Sequence, residues 1–211
     1  AQSNQGTLAV AIGYSAGQNN QGTGSVVIGV NAATINQGSS AVAIGNQTGR
    51  GNQGSNSVAI GYRSGQTNQG TSSIAIGNQS GQNTQGVNAI AIGYQAGQNT
   101  QGTESIAIGD SAGNAGQGVG ATATSSTIAI GKEAGYTGQG ISSIAIGYQA
   151  GYTAQSTNAV AIGNSAGYSA QGSNSIAIGN LAGYTQVANS IVFNASGSTL
   201  AGVNSGLYVN P

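Results

Sequence analysis

Residues 68–83, NQGTSSIAIGNQSGQN, contain the pattern that decides the fold of this chain. Within this stretch, residues 73–76 (SIAI) alternate small and β-branched side chains, which is typical of a short strand with Ile74 and Ile76 on one face. Gly77 follows directly, and a glycine at that point permits a tight corner. A helix is disfavoured because each interior glycine costs about 1 kcal/mol relative to alanine. The stretch therefore predicts one strand and several corners.

This pattern recurs along the chain at every sixteenth position, and the dipeptide Ile-Gly marks its register. The glycines of that dipeptide are Gly13, Gly29, Gly45, Gly61, Gly77, Gly93, Gly109, Gly131, Gly147, Gly163 and Gly179. One interval, from Gly109 to Gly131, is longer than the others by six positions and indicates an insertion of that length within residues 119–127. A degenerate copy follows at residues 190–194.

A sixteen-residue unit with one strand and several glycine corners is typical of one coil of a parallel β-solenoid or β-roll. The sequence therefore predicts an all-β rod of about twelve coils stacked at the strand spacing of about 4.8 Å. We expect residues 1–185 to form the repeat array. Residues 186–211 are expected to form a degenerate last coil and a C-terminal cap or transition segment.

Stacking in register places identical side chains in columns along the rod. The glutamine of a recurrent Gln-Gly pair is expected to form an amide ladder between coils, as in cross-β assemblies. The structural columns predicted in this way contain Gln53, Gln69, Gln85 and Gln101, the strand residues Ile74 and Ile76, and the corner glycines Gly77 and Gly93.

A single roll of this kind buries few apolar side chains for the number of backbone residues that it orders. The Ala-Ser face of each strand is small and uncharged, which suits close approach of another chain. We infer that the Ile face and the Ala-Ser face each border a buried space, one inside the coil and one between chains. Closed cyclic symmetry is the usual outcome for such self-association. A homotrimer is the natural guess for a fibre-like rod, but these residues do not select the number of copies.

The composition excludes several classes of function. The 211 residues include three basic and three acidic side chains and no His, Cys, Met or Trp. Disulfides, thiolate metal sites and histidine general bases are therefore excluded. A nucleic-acid partner is not expected, because it would require a Lys/Arg footprint. Membrane insertion is not expected either, because no apolar run approaches about 18 residues.

The remaining ionisable residues do not form a recognisable catalytic group. Lys132 and Glu133 are adjacent at a corner, while Glu104 and Asp110 lie in one coil. Solvated corner charges account for them, so we expect no enzyme activity, no cofactor and no bound metal.

One column of the repeat changes its residue type along the chain. After the small-Gly corner, the first coils carry Gln18, Gln66, Gln82 and Gln98, and the later coils carry Tyr136, Tyr152, Tyr168 and Tyr184. Stacking of the rings between coils explains this Tyr stripe structurally. The functional alternative is a partner-binding stripe for a carbohydrate or protein.

Two other surface features remain open. The insertion at residues 119–127 is expected to protrude, as either a binding loop or a tolerated surface loop. The glycosylation acceptor pattern occurs three times, starting at Asn46, Asn78 and Asn194. Chance matches are expected in a chain this rich in Asn, Ser and Thr.

The repeats resemble the head domain of trimeric autotransporter adhesins. The stretches that carry the resemblance are NSVAIG at residues 56–61, NAVAIG at 158–163 and NSIAIG at 174–179, and the similarity extends over residues 4–185. It implies a left-handed parallel β-roll trimer that is exposed on a surface and adhesive. The unit of this chain is slightly longer than the family's repeat, and the departure is an added Asn-Gln-Gly corner.

The C-terminal residues 190–211 are instead similar to the close of repeat arrays in large-virus and phage-fibre proteins. The expected function is therefore a structural, adhesin-like fibre segment, extracellular and displayed on a virion or cell surface. Its partners would be itself and a cell-surface glycan or protein. The alternatives are a subunit that polymerises end to end into an extracellular filament, and a glycan- or ice-binding module.

Overall fold

The computed structural model describes residues 3–118 and 125–211, and all regular structure within them is β. The strands are β1 (Ser3–Gln5), β2 (Val10–Ile12), β3 (Asn19–Gln21), β4 (Val26–Ile28), β5 (Ile35–Gln37), β6 (Val42–Ile44), β7 (Val58–Ile60), β8 (Ile74–Ile76), β9 (Thr84–Gln85), β10 (Ile90–Ile92), β11 (Thr100–Gln101), β12 (Ile106–Ile108), β13 (Ala115–Gln117), β14 (Ile128–Ile130), β15 (Thr137–Gln139), β16 (Ile144–Ile146), β17 (Val160–Ile162), β18 (Ile176–Gly179), β19 (Ala182–Gln186), β20 (Ser190–Asn194), β21 (Leu200–Gly202) and β22 (Gly206–Asn210).

One long sheet runs the length of the rod. It contains 13 strands in the order β2-β4-β6-β7-β8-β10-β12-β14-β16-β17-β18-β20-β22. Every neighbouring pair is parallel and in register, so that Ile74 pairs with Ile90 and Ala75 with Ala91. Each coil thus contributes one strand, and the predicted all-β parallel solenoid with a sixteen-residue repeat is confirmed.

A second wall of each coil is built around the glutamine column. Its strands form the groups β1-β3-β5 and β9-β11-β13-β15, and single parallel bridges continue the column from Gln37 through Gln53 and Gln69 to Gln85. The second wall is less regular than the long sheet, because in several coils only one residue pairs with the next coil and no strand forms.

The two faces of the long sheet differ in burial. Ser73 and Ala75 are fully buried inside the coil, whereas Ile74 is half-buried and Ile76 is exposed on the outside. The expectation that the small face suits another chain is therefore wrong, because Ala and Ser fill the interior. Together with the buried glutamines these small side chains fill the interior of the coil, and the face available to another chain is the Ile face.

The position of the insertion follows from the change in register. Gln101 pairs with Gln117, its equivalent one ordinary repeat further on, while Ile106 pairs with Ile128 across an interval longer by six positions. Ser125 is back in the stack, because its N–H donates to Thr103 O at 3.1 Å. The extra residues are thus 119–124, and the predicted protruding loop lies outside the described residues.

The array continues past the eleven coils that carry the Ile-Gly marker and past the degenerate copy at residues 190–194. Strand β22 pairs with β20 in parallel, with Leu207 opposite Ile191, so the repeat persists without the marker. Tyr208 packs against the buried alanine core, and its hydroxyl donates to Asn204 O at 3.1 Å and accepts from Asn204 N at 2.9 Å. A large side chain therefore fills the interior of the last coil.

Candidate functional site

The outer face of the long sheet is a continuous apolar surface, which we call the Ile face. Two outward residues from each of its 13 strands form this face, and nearly all of them are Ile or Val. In the middle of the rod one column is half-buried, and the other contains both half-buried residues, such as Ile92, and residues that are 36% exposed, such as Ile76 and Ile130. An apolar surface that extends along a whole molecule marks an interaction site.

The buried glutamines cross the interior of the coil. The amide of Gln85 donates to Ile74 O at 2.7 Å and to Ala89 O at 3.2 Å, and the same pattern recurs at Gln101 and Gln139. Direct amide-to-amide bonds also occur, as from Gln85 to Gln101 at 3.2 Å. The predicted column is present, and its main partners are backbone carbonyls rather than neighbouring amides. Its role is structural.

The corner glycines sit in close contact with the next coil. Gly77 has a φ of +129°, and a Cβ at this position would lie 2.5 Å from Gly93 O. At the following corner, a Cβ on Gly81 would lie 2.9 Å from the Oε1 atom of the buried Gln85. The glycine columns therefore set the coil spacing and leave room for the glutamines.

The Tyr stripe is a stack of rings on the outside of the coil. Successive ring centroids from Tyr136 to Tyr184 are 5.2, 5.0 and 4.9 Å apart, with interplanar angles of 10° to 12°. The preceding coils carry an amide ladder in the same column, with Gln82 donating to Gln66 at 2.9 Å and Gln98 donating to Gln82 at 3.0 Å. Both versions of the column hold neighbouring coils together.

The stacking limits what the Tyr stripe offers to a partner. The ring faces of the inner members cover one another, so ring edges and hydroxyl groups remain for contact. Burial in the stack raises the pKa of Tyr152, and the nearby Glu133 carboxylate raises it further. A partner-binding role for Tyr136, Tyr152, Tyr168 and Tyr184 therefore stays a proposal, with hydrogen bonding as its chemistry.

The charged side chains are dispersed and mostly satisfied by polar neighbours. Glu133 accepts a hydrogen bond from Gln149 at 2.7 Å, Asp110 accepts one from Ser111 at 2.8 Å, and Arg63 donates to Gln47 at 3.0 Å. In residues 3–118 and 125–211, no three His, Cys, Asp or Glu side chains lie close enough together to hold a metal ion. The same residues include no helix long and apolar enough to cross a membrane.

The three glycosylation matches lie in different environments. Asn46 and Asn78 are not fully buried, but the hydroxyl residues Thr48 and Ser80 of their acceptor patterns are. Asn194 is itself buried, and its amide donates to Asn180 O at 2.7 Å and Ser198 O at 2.6 Å. None of these acceptor patterns is presented intact on the folded surface.

Comparison with known proteins finds a repeat that is similar to part of this chain. A model of the YadA head domain repeat matches residues 85–112, 139–166 and 154–182. These segments contain strands β10, β12, β16, β17 and β18, so each match falls on the coils of the long sheet. No curated protein and no solved structure matches the chain. The repeats in residues 85–112 and 139–182 are therefore similar to YadA head repeats, in agreement with the resemblance to the heads of trimeric autotransporter adhesins.

Proposed function

We propose that this chain is a segment of a trimeric, adhesin-like β-roll rod, displayed outside a cell or on a virion and without a catalytic role. The observation that carries the proposal is the Ile face. Two aliphatic residues per coil point outward along nearly the entire long sheet, while the interior of each coil is already filled by Ala, Ser and Gln.

Burial of the Ile face requires a partner with the same length and the same coil spacing. A second copy of the chain meets this requirement, and rotation about an axis parallel to the rod brings every coil of one copy beside the equivalent coil of another. Charge repulsion between copies is negligible because the chain has six charged residues and a net charge of zero. The trimeric state follows from the resemblance to adhesin heads.

Display outside a cell is supported by the chemistry of the side chains. Few charges make the rod insensitive to salt. The absence of Cys and Met leaves little for oxidants to attack. These properties suit a fibre segment on a bacterial or viral surface, and the adhesin-type repeats favour the same location.

End-to-end polymerisation into a filament is the second candidate function. It is favoured by the uniform parallel register of the long sheet, because the same pairing can join the coils of two copies end to end. The closure of the last coil by Tyr208 opposes it, because continuous stacking requires small interior residues. Particle length separates this candidate from the trimer.

The trimer is tested by a charge placed on the Ile face. Ile76→Lys puts an ammonium group at the centre of the proposed interface, so the mass measured by light scattering should fall from three chains to the 20.2 kDa of one. The matched control is Thr84→Lys, at an exposed position on the second wall of the coil. A trimeric mass for Ile76→Lys, with unchanged β content in circular dichroism, would refute the assignment of the interface.

A further inference from the structure

We propose that a groove along the first half of the rod binds an extended, uncharged β-1,4-linked polysaccharide. The groove, which we call the Asn groove, has a volume of about 660 Å³ and extends from Asn20 to Val87. One wall of the groove is formed by Asn20, Asn36, Asn52 and Asn68, and the opposite wall is formed by Ser55, Thr71 and Val87. Between the two walls lie Gly38, Gly54 and Gly70.

The asparagine wall is a polarised ladder of exposed amides. Asn4 donates to Asn20 at 3.0 Å, and the chain of bonds continues to Asn36, Asn52 and Asn68 at 2.9, 3.0 and 3.2 Å. A primary amide has two N–H donors and two acceptor positions. Each inner member therefore retains one donor and one acceptor that the ladder does not use, repeated at the coil spacing of about 4.8 Å.

The opposite wall adds main-chain donors. Within the described residues, the N–H groups of Ser55 and Thr71 make no hydrogen bond to the rest of the chain. The glycines between the walls bring the backbone to the surface, because no side chain covers it. The groove thus combines asparagine amides on one side with the hydroxyl and main-chain N–H groups of Ser55 and Thr71 on the other, in a shallow and open depression.

The chemistry of the lining selects the class of ligand. None of the lining residues is charged or aromatic, so a polyanion, a nucleic acid or a charged peptide gains little there. The backbone groups of adjacent coils already bond to one another, as from Gly54 N to Gln69 O at 2.8 Å, so a peptide cannot add as a strand. Ice is disfavoured because a regular threonine ladder would be expected for it, and the column that contains Ser55, Thr71 and Val87 is mixed.

A linear polysaccharide fits the remaining requirements. Each hydroxyl group both donates and accepts, which matches the unused donor and acceptor of each asparagine. An extended β-1,4-linked chain is straight and repeats at nearly the length of one coil, so successive sugars can meet successive rungs. The asparagine wall ends where Thr84 and Thr100 continue the column, which limits the site to the first half of the rod.

The proposal deepens the adhesin-like function proposed above by naming a ligand class, and it can fail while the trimer stands. The test uses the purified full chain, with cellohexaose as the probe and maltohexaose, which has the same composition and a curved chain, as the comparison. Calorimetry or NMR titration should show saturable binding of cellohexaose and much weaker binding of maltohexaose.

Two variants localise the binding. Asn52→Asp removes both N–H donors of this amide, the one that bonds Asn68 and the one left for a ligand. It should weaken cellohexaose binding by about fivefold or more, the effect of one lost hydrogen bond to the ligand. Thr71→Ile narrows the groove and should also weaken binding; the column tolerates isoleucine, since Ile141 occupies the equivalent position. The matched control is Asn83→Asp, which alters an exposed amide that donates to Asn99 at 2.9 Å outside the groove.

Three results would overturn the proposal. They are no saturable binding of cellohexaose, equal binding of the two hexaoses, and equal weakening by Asn52→Asp and Asn83→Asp. The light-scattering mass of each variant is measured alongside, so that a loss of assembly is distinguished from a loss of binding.

Discussion

At the scale of single residues, the glycine that follows each strand has no room for a larger side chain. Gly77 combines a φ of +129° with a position from which a Cβ would reach Gly93 O in the next coil. Both the local conformation and the stacking therefore require glycine, and the same contact recurs at Gly93 against Gly109.

Gly77→Ala is expected to destabilise the rod by at least about 2 kcal/mol, because it adds backbone strain and separates two coils. The control is Gly197→Ala, since a Cβ at Gly197 would have no atom within 4 Å. The measurement is the urea midpoint of both variants against the parent. Similar midpoints for the two alanine variants would show that the contact does not fix the coil spacing.

At the scale of one element, the glutamine column ties the strand of each coil to the second wall. Gln101 is 1% exposed, and its amide donates to Ile90 O at 2.6 Å and Ser105 O at 3.1 Å. A side chain that cannot donate at this position leaves two buried carbonyls unpaired, which costs free energy of folding. The column is thus sensitive to the loss of hydrogen-bond donors.

Gln101→Glu is expected to lower the free energy of unfolding by about 3 kcal/mol or more at neutral pH, because a buried carboxylate would face two carbonyl oxygens. Burial raises the pKa of such a carboxyl group, so stability should be present at acidic pH and be lost as the pH rises towards and through that pKa. The control is Gln95→Glu, in the column that already contains Glu133. Equal stability of the two variants in urea titrations at neutral pH would contradict the prediction.

The Tyr stripe predicts a loss of stability in alkali. The pKa of Tyr152 in the folded rod is raised by burial, by the Glu133 carboxylate, and by the neighbouring Tyr168, Tyr136 and Tyr148. A raised folded pKa means that this contribution to stability is fully present below about pH 10 and is lost as the pH rises through the folded value.

Tyrosinate absorbance should therefore show one late-titrating tyrosine that is absent from Tyr152→Phe. Glu133→Gln should move this titration to lower pH, since it removes a negative charge near the ring. A late titration that persists in Tyr152→Phe would contradict the prediction.

The strand of each coil, the sixteen-residue period, the six extra residues and the side-chain columns can be predicted from the sequence, because each depends on spacing alone. The sequence does not reveal which side of the strand is inside. Ile74 and Ala75 are both apolar, and the width of the interior depends on Gln85 crossing it to reach Ile74 O and Ala89 O. These carbonyl partners exist only in the folded coil, so a long polar residue in the core was not predictable from polarity.

The functional surfaces are less accessible to such reasoning. The sequence predicts a Tyr column with stacked rings, but the extent to which the stacking covers the ring faces depends on the rotamers of four side chains. The Asn groove is a product of two columns separated by glycine, and no spacing rule identifies a concave surface. Thr71 appears in the sequence only as one member of an interrupted threonine column.

At the scale of the whole molecule, the proposed assembly depends on the direction of the Ile face. A rod of 13 strands at about 4.8 Å spacing is about 60 Å long and exposes aliphatic residues along nearly that entire length. Exposed apolar surface of this extent is unfavourable in water, so the isolated chain is expected to associate. Three copies around one axis remove the Ile faces from solvent and leave the Asn groove and the Tyr stripe on other faces of each coil.

The most direct test of this central claim is an electron cryomicroscopy reconstruction of the purified chain. The account predicts rods about 60 Å long, with three β-rolls around one axis and Ile76 and its equivalents directed toward that axis. A monomeric particle, or an assembly in which the Ile face points to solvent, would contradict it.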